Sequence, residues 1–113
     1  MNRFELLPEC EKEMKRLAKK YRTLDDDLRN LKSILEVCPT GIGKNFIVLH
    51  AGKAVTVVKV RMACRALHDR SLRMIYAYHE REHAIVFIEL NYKGDKENED
   101  RGRIDEYLRR LHP

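Results

Sequence analysis

Apolar residues in the first third of the chain recur at helical spacing. From Pro8 onward Cys10, Met14, Leu17, Ala18 and Tyr21 fall on one stripe, which predicts an amphipathic helix. Glu9, Glu11 and Glu13 stand near its start, and Lys19, Lys20 and Arg22 near its end, each with the sign that the helix dipole favours. Thr23 then reads as the cap of a second helix, with Asp26 at the capping-box position. Leu24, Leu28, Leu31 and Leu35 form its stripe, and Pro39, Gly41 and Gly43 end it. So short a connection predicts an antiparallel helical hairpin.

After Gly43 the period drops to two. "NFIVLH" reads as a strand and "AGKA" as a turn. "VTVVKVRMACRAL" alternates, with Val58, Val60, Met62 and Cys64 on one face and Lys59, Arg61 and Arg65 on the other. "HDRS" is the next turn. "LRMIYAYH" and "AIVFIELNY" are two further strands, rich in β-branched and aromatic residues. The tail returns to helical spacing through Ile104, Tyr107, Leu108 and Leu111. The expected fold is a single α+β domain over residues 1–113. Its helical hairpin packs on a four-stranded antiparallel sheet, five-stranded if "NRFEL" adds a strand, and a C-terminal helix follows. Consecutive strands with short turns place the helices on one face of that sheet.

Composition narrows the class. The 113 residues are 43% hydrophobic and 36% charged, values that suit one folded domain. No apolar run is long enough for a membrane span, and the early glutamates do not suit a secretory signal, so a cytoplasmic location is expected. Cys10, Cys38 and Cys64 are odd in number and widely spaced, the pattern of reduced thiols rather than of a disulfide framework or a zinc ribbon. Residues 41–81 carry eight basic and two acidic groups, a balance of +6, against +1 before them and −2 after them. A positive charge so localised favours a polyanionic partner.

Two motifs invite catalytic readings that their context rejects. His79-Glu80-Arg81-Glu82-His83 spells H-E-x-x-H, but a zinc protease needs both histidines on one helix. Here the flanks are strands and the charged run is a hairpin loop. Gly43-Lys44 resembles the end of a phosphate-binding loop. However, Cys38 stands where the first glycine belongs, Asn45 replaces Ser or Thr, and the loop follows a helix. No metal, cofactor or bound nucleotide is expected.

The cations on strands remain. Lys59 and Arg61 share a face, and a hairpin turn brings Arg73 near them. Glu89 falls on the same side by alternation, so a structural ion pair across the sheet is the competing account of these arginines.

The "VVKVRM" strand, the "SLRMIYAYHE" strand with its Arg73-x-x-Tyr76, and "AIVFIELNYKGDKENED" together resemble the RelE/ParE toxin superfamily, most closely its messenger-cleaving RelE-like branch. The likeness runs from about Phe4 to Leu108. It implies a ribosome-dependent endoribonuclease acting on messenger RNA and held inactive by a small antitoxin, with no membrane partner. A ParE-like gyrase poison and a catalytically silent binding module are the alternatives. By the same likeness Lys59, Arg61, Arg73 and Lys93 are the candidate catalytic residues, and Arg65, Arg70, Tyr92 and Lys96 the candidate RNA contacts. Where the branch has a catalytic tyrosine after the last strand, this chain has Glu99; Tyr92 and Tyr107 are near but do not align.

The implied chemistry needs no metal, because RNA supplies its own nucleophile, the 2′-hydroxyl. A base, cations around the phosphorane and an acid complete it. Arginine suits the middle task through its planar fork. Lys59, crowded by arginines, is the candidate base, and Lys93 the candidate acid or phosphate clamp.

Overall fold

The computed structural model describes residues 2–68, 70–92 and 98–111. Strand β1 (Arg3–Leu6) leads into helices α1 (Pro8–Lys20) and α2 (Leu24–Val37). Strands β2 (Phe46–Ala51) and β3 (Val55–Ala63) follow, then a 3-10 turn (Arg65–Leu67), β4 (Ser71–His79), β5 (Ala84–Tyr92) and helix α3 (Arg101–Leu111). The sheet order is β1-β5-β4-β3-β2. The "NRFEL" strand therefore forms, but it pairs parallel to β5. The sheet is mixed where an antiparallel one was expected. Hydrophobic alternation identifies a strand's two faces but carries no information about the direction of its neighbour.

The helices also divide differently from expectation. Cys10, Leu17, Leu24, Leu28, Leu31 and Leu35 of the hairpin pack on Val58, Val60, Met62, Leu72, Met74, Tyr76, Ile85 and Phe87. Ile104 of α3 packs instead with Val57, Ile75, Ala77 and Ile88, the residues of the other face. The sheet is sandwiched between the hairpin and α3, not covered on one side. The near-continuous apolar run of β5 is the sequence signal, since a strand buried on both faces loses its alternation.

A β-bulge sets which side chains reach which face. Tyr76 pairs with Phe87, but Ile75 pairs with Glu89, leaving Ile88 as the extra residue. Alternation counted from Ile85 and Phe87 would send Glu89 toward the hairpin, so its expected place on the side of Arg61 and Arg73 is reached through the bulge and not by alternation. The bulge instead turns both Ile88 and Glu89 toward α3, and returns Leu90 to the hairpin core.

Glu89 is fully buried, and α3 answers its charge. Arg103 lies 3.8 Å from Glu89, pairs with Glu9 at 3.2 Å and donates to Glu13 at 2.8 Å. It also donates to the Ile88 carbonyl. The Asp100 N–H donates to Glu89 at 2.9 Å, while the Asp100 carboxylate accepts from the Arg103 N–H and so caps α3. Glu13 accepts from the Leu90 N–H of β5, beyond the end of β1. One guanidinium thus joins α1, β5 and α3. Cys10 is buried beside this cluster, where burial and the Glu13 charge push its thiol up to about 12. It is an inert thiol, and all three cysteines are unpaired.

Thr23 occupies the N-cap of α2, as expected, but without a capping hydrogen bond. Its hydroxyl donates to Asp27 and accepts from the Ala66 N–H. The side chain has turned from its own helix to hold the 3-10 turn.

Replacing Arg103 with Met removes the shared counter-charge from three carboxylates. The expected loss is about 3 kcal/mol, the scale of breaking a buried ion pair from one side, and the midpoint of urea unfolding measures it.

Candidate active site

The β3–β4 register places Arg61 directly opposite Arg73. Like charges across a ladder disfavour pairing, so this arrangement is a local destabilisation within the sheet. The next strand offers Asn91 beside Arg73, and its Oδ1 accepts from Arg73 Nε at 3.0 Å. Asn91 is buried, and its amide nitrogen has no hydrogen-bond partner among the described residues. Lys59 lies one pleat along on the same face, in the row that continues through Ile75 to Glu89. The sheet therefore gathers Lys59, Arg61 and Arg73 on the face that α3 partly covers.

These side chains line a cleft of 260 Å³, joined by Lys44, Asn45, Ser71 and Asn98; among the described residues no carboxylate lines it. Lys44 arrives by a loop that is tightly held. Gly41 has φ +75°, and a Cβ there would fall 2.0 Å from the Phe46 ring. The Tyr76 hydroxyl donates to the Pro39 carbonyl at 2.7 Å, and Asn45 accepts from the Arg61 N–H at 2.9 Å. The Arg73-x-x-Tyr76 motif thus works from both sides of the sheet. Arg73 faces the cleft, and Tyr76, buried in the hairpin core, fixes the start of the loop that brings Lys44.

Lys59 is not surrounded by cations alone. Its ammonium donates to Glu99 Oε1 at 2.9 Å, with side-chain exposures of 26% and 10%. Lys59 holds the Glu99 carboxyl below the usual glutamate value. The backbone just beyond Glu99 is pinned through Asp100 to Glu89 and to the first turn of α3, so the carboxylate reaches Lys59 from a fixed base. An ammonium already donating to a carboxylate is suited to hold phosphate, not to accept a proton, which weighs against Lys59 as the base.

The remaining candidates divide. Arg65 does not share the face of Lys59 and Arg61, because β3 ends at Ala63 and Arg65 enters the 3-10 turn. There it meets Asp26 at 3.5 Å and Asp27 at 3.7 Å. Arg70 donates to the Tyr92 hydroxyl at 2.7 Å. Tyr92 pairs with Leu72, a hairpin-face residue, and sets its ring edge against Tyr21. Arg70 and Tyr92 thus come together, but Tyr92 is on the sheet face away from the cleft. Lys93 and Lys96 lie outside the described residues. Tyr107 is on α3, hydrogen-bonded to His79, and burial pushes its phenol up to about 12. His79 ends β4 and His83 sits in the following turn with φ +50°; the two share no helix.

Sequence reasoning missed Lys44, Asn45, Asn91 and Asn98. Lys44 was visible in "GIGKNF" but was weighed only as part of a nucleotide loop. Asn91 was hidden by the bulge, which decides its face.

Two stability measurements follow. Replacing Arg61 with Gln removes the like-charge pair, so thermal stability is expected to hold or rise by a few tenths of a kcal/mol, while affinity for RNA falls. For the Lys59–Glu99 pair, the depressed Glu99 pKa contributes stability above the ordinary glutamate value, and that stability is lost as pH falls through the lowered one. The stability gap between wild type and Glu99→Gln should therefore close at acid pH in chemical denaturation.

No family model and no curated protein matches the sequence. Two solved structures do match. One is the archaeal RelE–RelB complex from Pyrococcus horikoshii, at 21% identity and TM-score 0.62, covering 82% of this chain and 96% of that one. The other is a mutant of the E. coli toxin RelE in the free state, at 15% identity and TM-score 0.57, covering 97% of each chain. The fold of this chain, with its helical hairpin, mixed sheet and C-terminal helix, is therefore RelE-like.

Proposed function

We propose that the chain is the toxin of a type II toxin–antitoxin pair and that its cleft cleaves messenger RNA on the ribosome without a metal. The observation that carries this reading is the placement of Arg61 opposite Arg73, with Lys59 and Lys44 beside them, around one cleft. Like charges placed opposite each other oppose sheet pairing, and guanidinium forks so placed suit an anion. A scissile phosphate is the anion that fits. The two guanidinium forks hold its non-bridging oxygens and stabilise the charge that builds on the phosphorane, and Lys44 and Lys59 add positive charge at the sides. Arg65, Arg70 and Lys96 serve as outlying contacts to the RNA backbone, and Lys93 as a clamp beyond β5.

Partner and location follow from the same likeness. One neighbour was solved as a complex of RelE with RelB, and this chain is read as having an antitoxin of its own in the cytoplasm. An acidic antitoxin segment laid over the cleft would neutralise the cations and exclude RNA together. Among the described residues, no helix is long and apolar enough to cross a membrane.

The test is cleavage of a defined message on programmed ribosomes by wild type and Arg73→Ala. The mutant should be folded yet slower by about 10²–10³, the effect of losing one preorganised charge-stabilising group. Equal cleavage by the two proteins removes Arg73 from the site, and a wild type that arrests growth without touching messenger RNA would favour a gyrase-type toxin.

A further inference from the structure

The cleft as lined holds phosphate well and accepts protons badly. Among the described residues, lysines, arginines, asparagines and a serine supply its polar groups, with neither a histidine nor a carboxylate. Tyr92 lies across the sheet, and Tyr107 is committed to His79. Among the described residues, a carboxylate stands beside the lining. Glu99 follows Asn98, a lining residue, and is bonded to Lys59, another.

We propose that Glu99 takes the proton of the attacking 2′-hydroxyl, with Lys59 holding its carboxylate at the cleft. The assignment rests on the nuclease reading above and deepens it. Lys59 engages Oε1, which leaves Oε2 as the oxygen to take the proton. Lys59 also solves an electrostatic problem. A lone carboxylate would repel the phosphate it must approach, whereas one neutralised by an adjacent ammonium does not. A glutamate carboxyl is ionised at neutral pH and so able to accept a proton, and the Lys59 charge keeps Glu99 in that form. Its backbone position is fixed by the Asp100 bonds to Glu89 and α3, as a base that must meet a hydroxyl within hydrogen-bond reach requires.

In this step the 2′-hydroxyl proton passes to Glu99 Oε2. The freed 2′-oxygen forms a bond to phosphorus while the bond from phosphorus to the 5′-oxygen breaks. The bond's electron pair leaves with the 5′-oxygen, which takes a proton from water at the exposed Arg61 side. The products are a 2′,3′-cyclic phosphate and a 5′-hydroxyl. Glu99 then returns its proton to solvent.

Glu99→Gln tests this with little change of shape, since the amide oxygen can still accept from Lys59. Single-turnover cleavage on programmed ribosomes should fall by about 10²–10⁴, the range for losing a general base. Affinity for the same message with a 2′-deoxy scissile nucleotide should be unchanged. Glu99→Asp, which keeps a carboxylate, should retain more activity than Glu99→Gln and guards against a folding artefact. Equal rates for wild type and Glu99→Gln overturn the role of Glu99 and leave the nuclease reading standing. A loss of affinity equal to the loss of rate overturns it as well, because Glu99 would then only shape the cleft. A wild type that binds the message but never cleaves it overturns both readings.

Discussion

A fully buried carboxylate on a central strand is the constraint from which much of this structure follows. Glu89 cannot remain charged inside the sheet without donors, and the donors come from one end of α3: the Asp100 N–H and the Arg103 guanidinium. Meeting that demand docks α3 against β5 and draws α1 in through Glu9 and Glu13. It also fixes the backbone next to Glu99, and with it one wall of the cleft. The ion-pair account of this face is therefore half right. Glu89 is answered from α3 by Arg103, and Arg61 and Arg73 face each other in the next row.

That row sets stability against use. Arg61 and Arg73 face each other across the ladder, while Asn91 holds Arg73 from the far side through its Nε. A neutral amide there steers the guanidinium without cancelling its charge, as an aspartate would. Lys59 differs, since its charge is already matched by Glu99. The cleft thus contains two kinds of cation, a pair that repels internally and a lysine tied to a carboxylate.

Much of this was legible in the sequence. Helical spacing gave both hairpin helices and α3, and the K-x-R strand placed Lys59 and Arg61 together because the side-chain period of a strand is two. Arg65 escaped that rule because the strand stops two residues before it. The direction of β1, the burial of α3 on the opposite face and the wall formed by Lys44 and Asn98 were not legible, since each depends on contacts between segments distant in sequence. Glu99 was visible at its position, but its partnership with Lys59 spans 40 residues and needs the docked α3 to exist.

The extra residue at Ile88 gives β5 a change of phase. Before it, odd-numbered positions look toward the hairpin; after it, even-numbered ones do. Removing Ile88 itself would keep both surfaces in step, since the strand on either side already agrees with its neighbours. Removing Val86 instead would exchange the two surfaces for part of the strand, driving apolar side chains and charges to the wrong layers. Length variation in this strand is therefore tolerable at one position and ruinous at the next, although the two positions hold side chains of nearly the same kind.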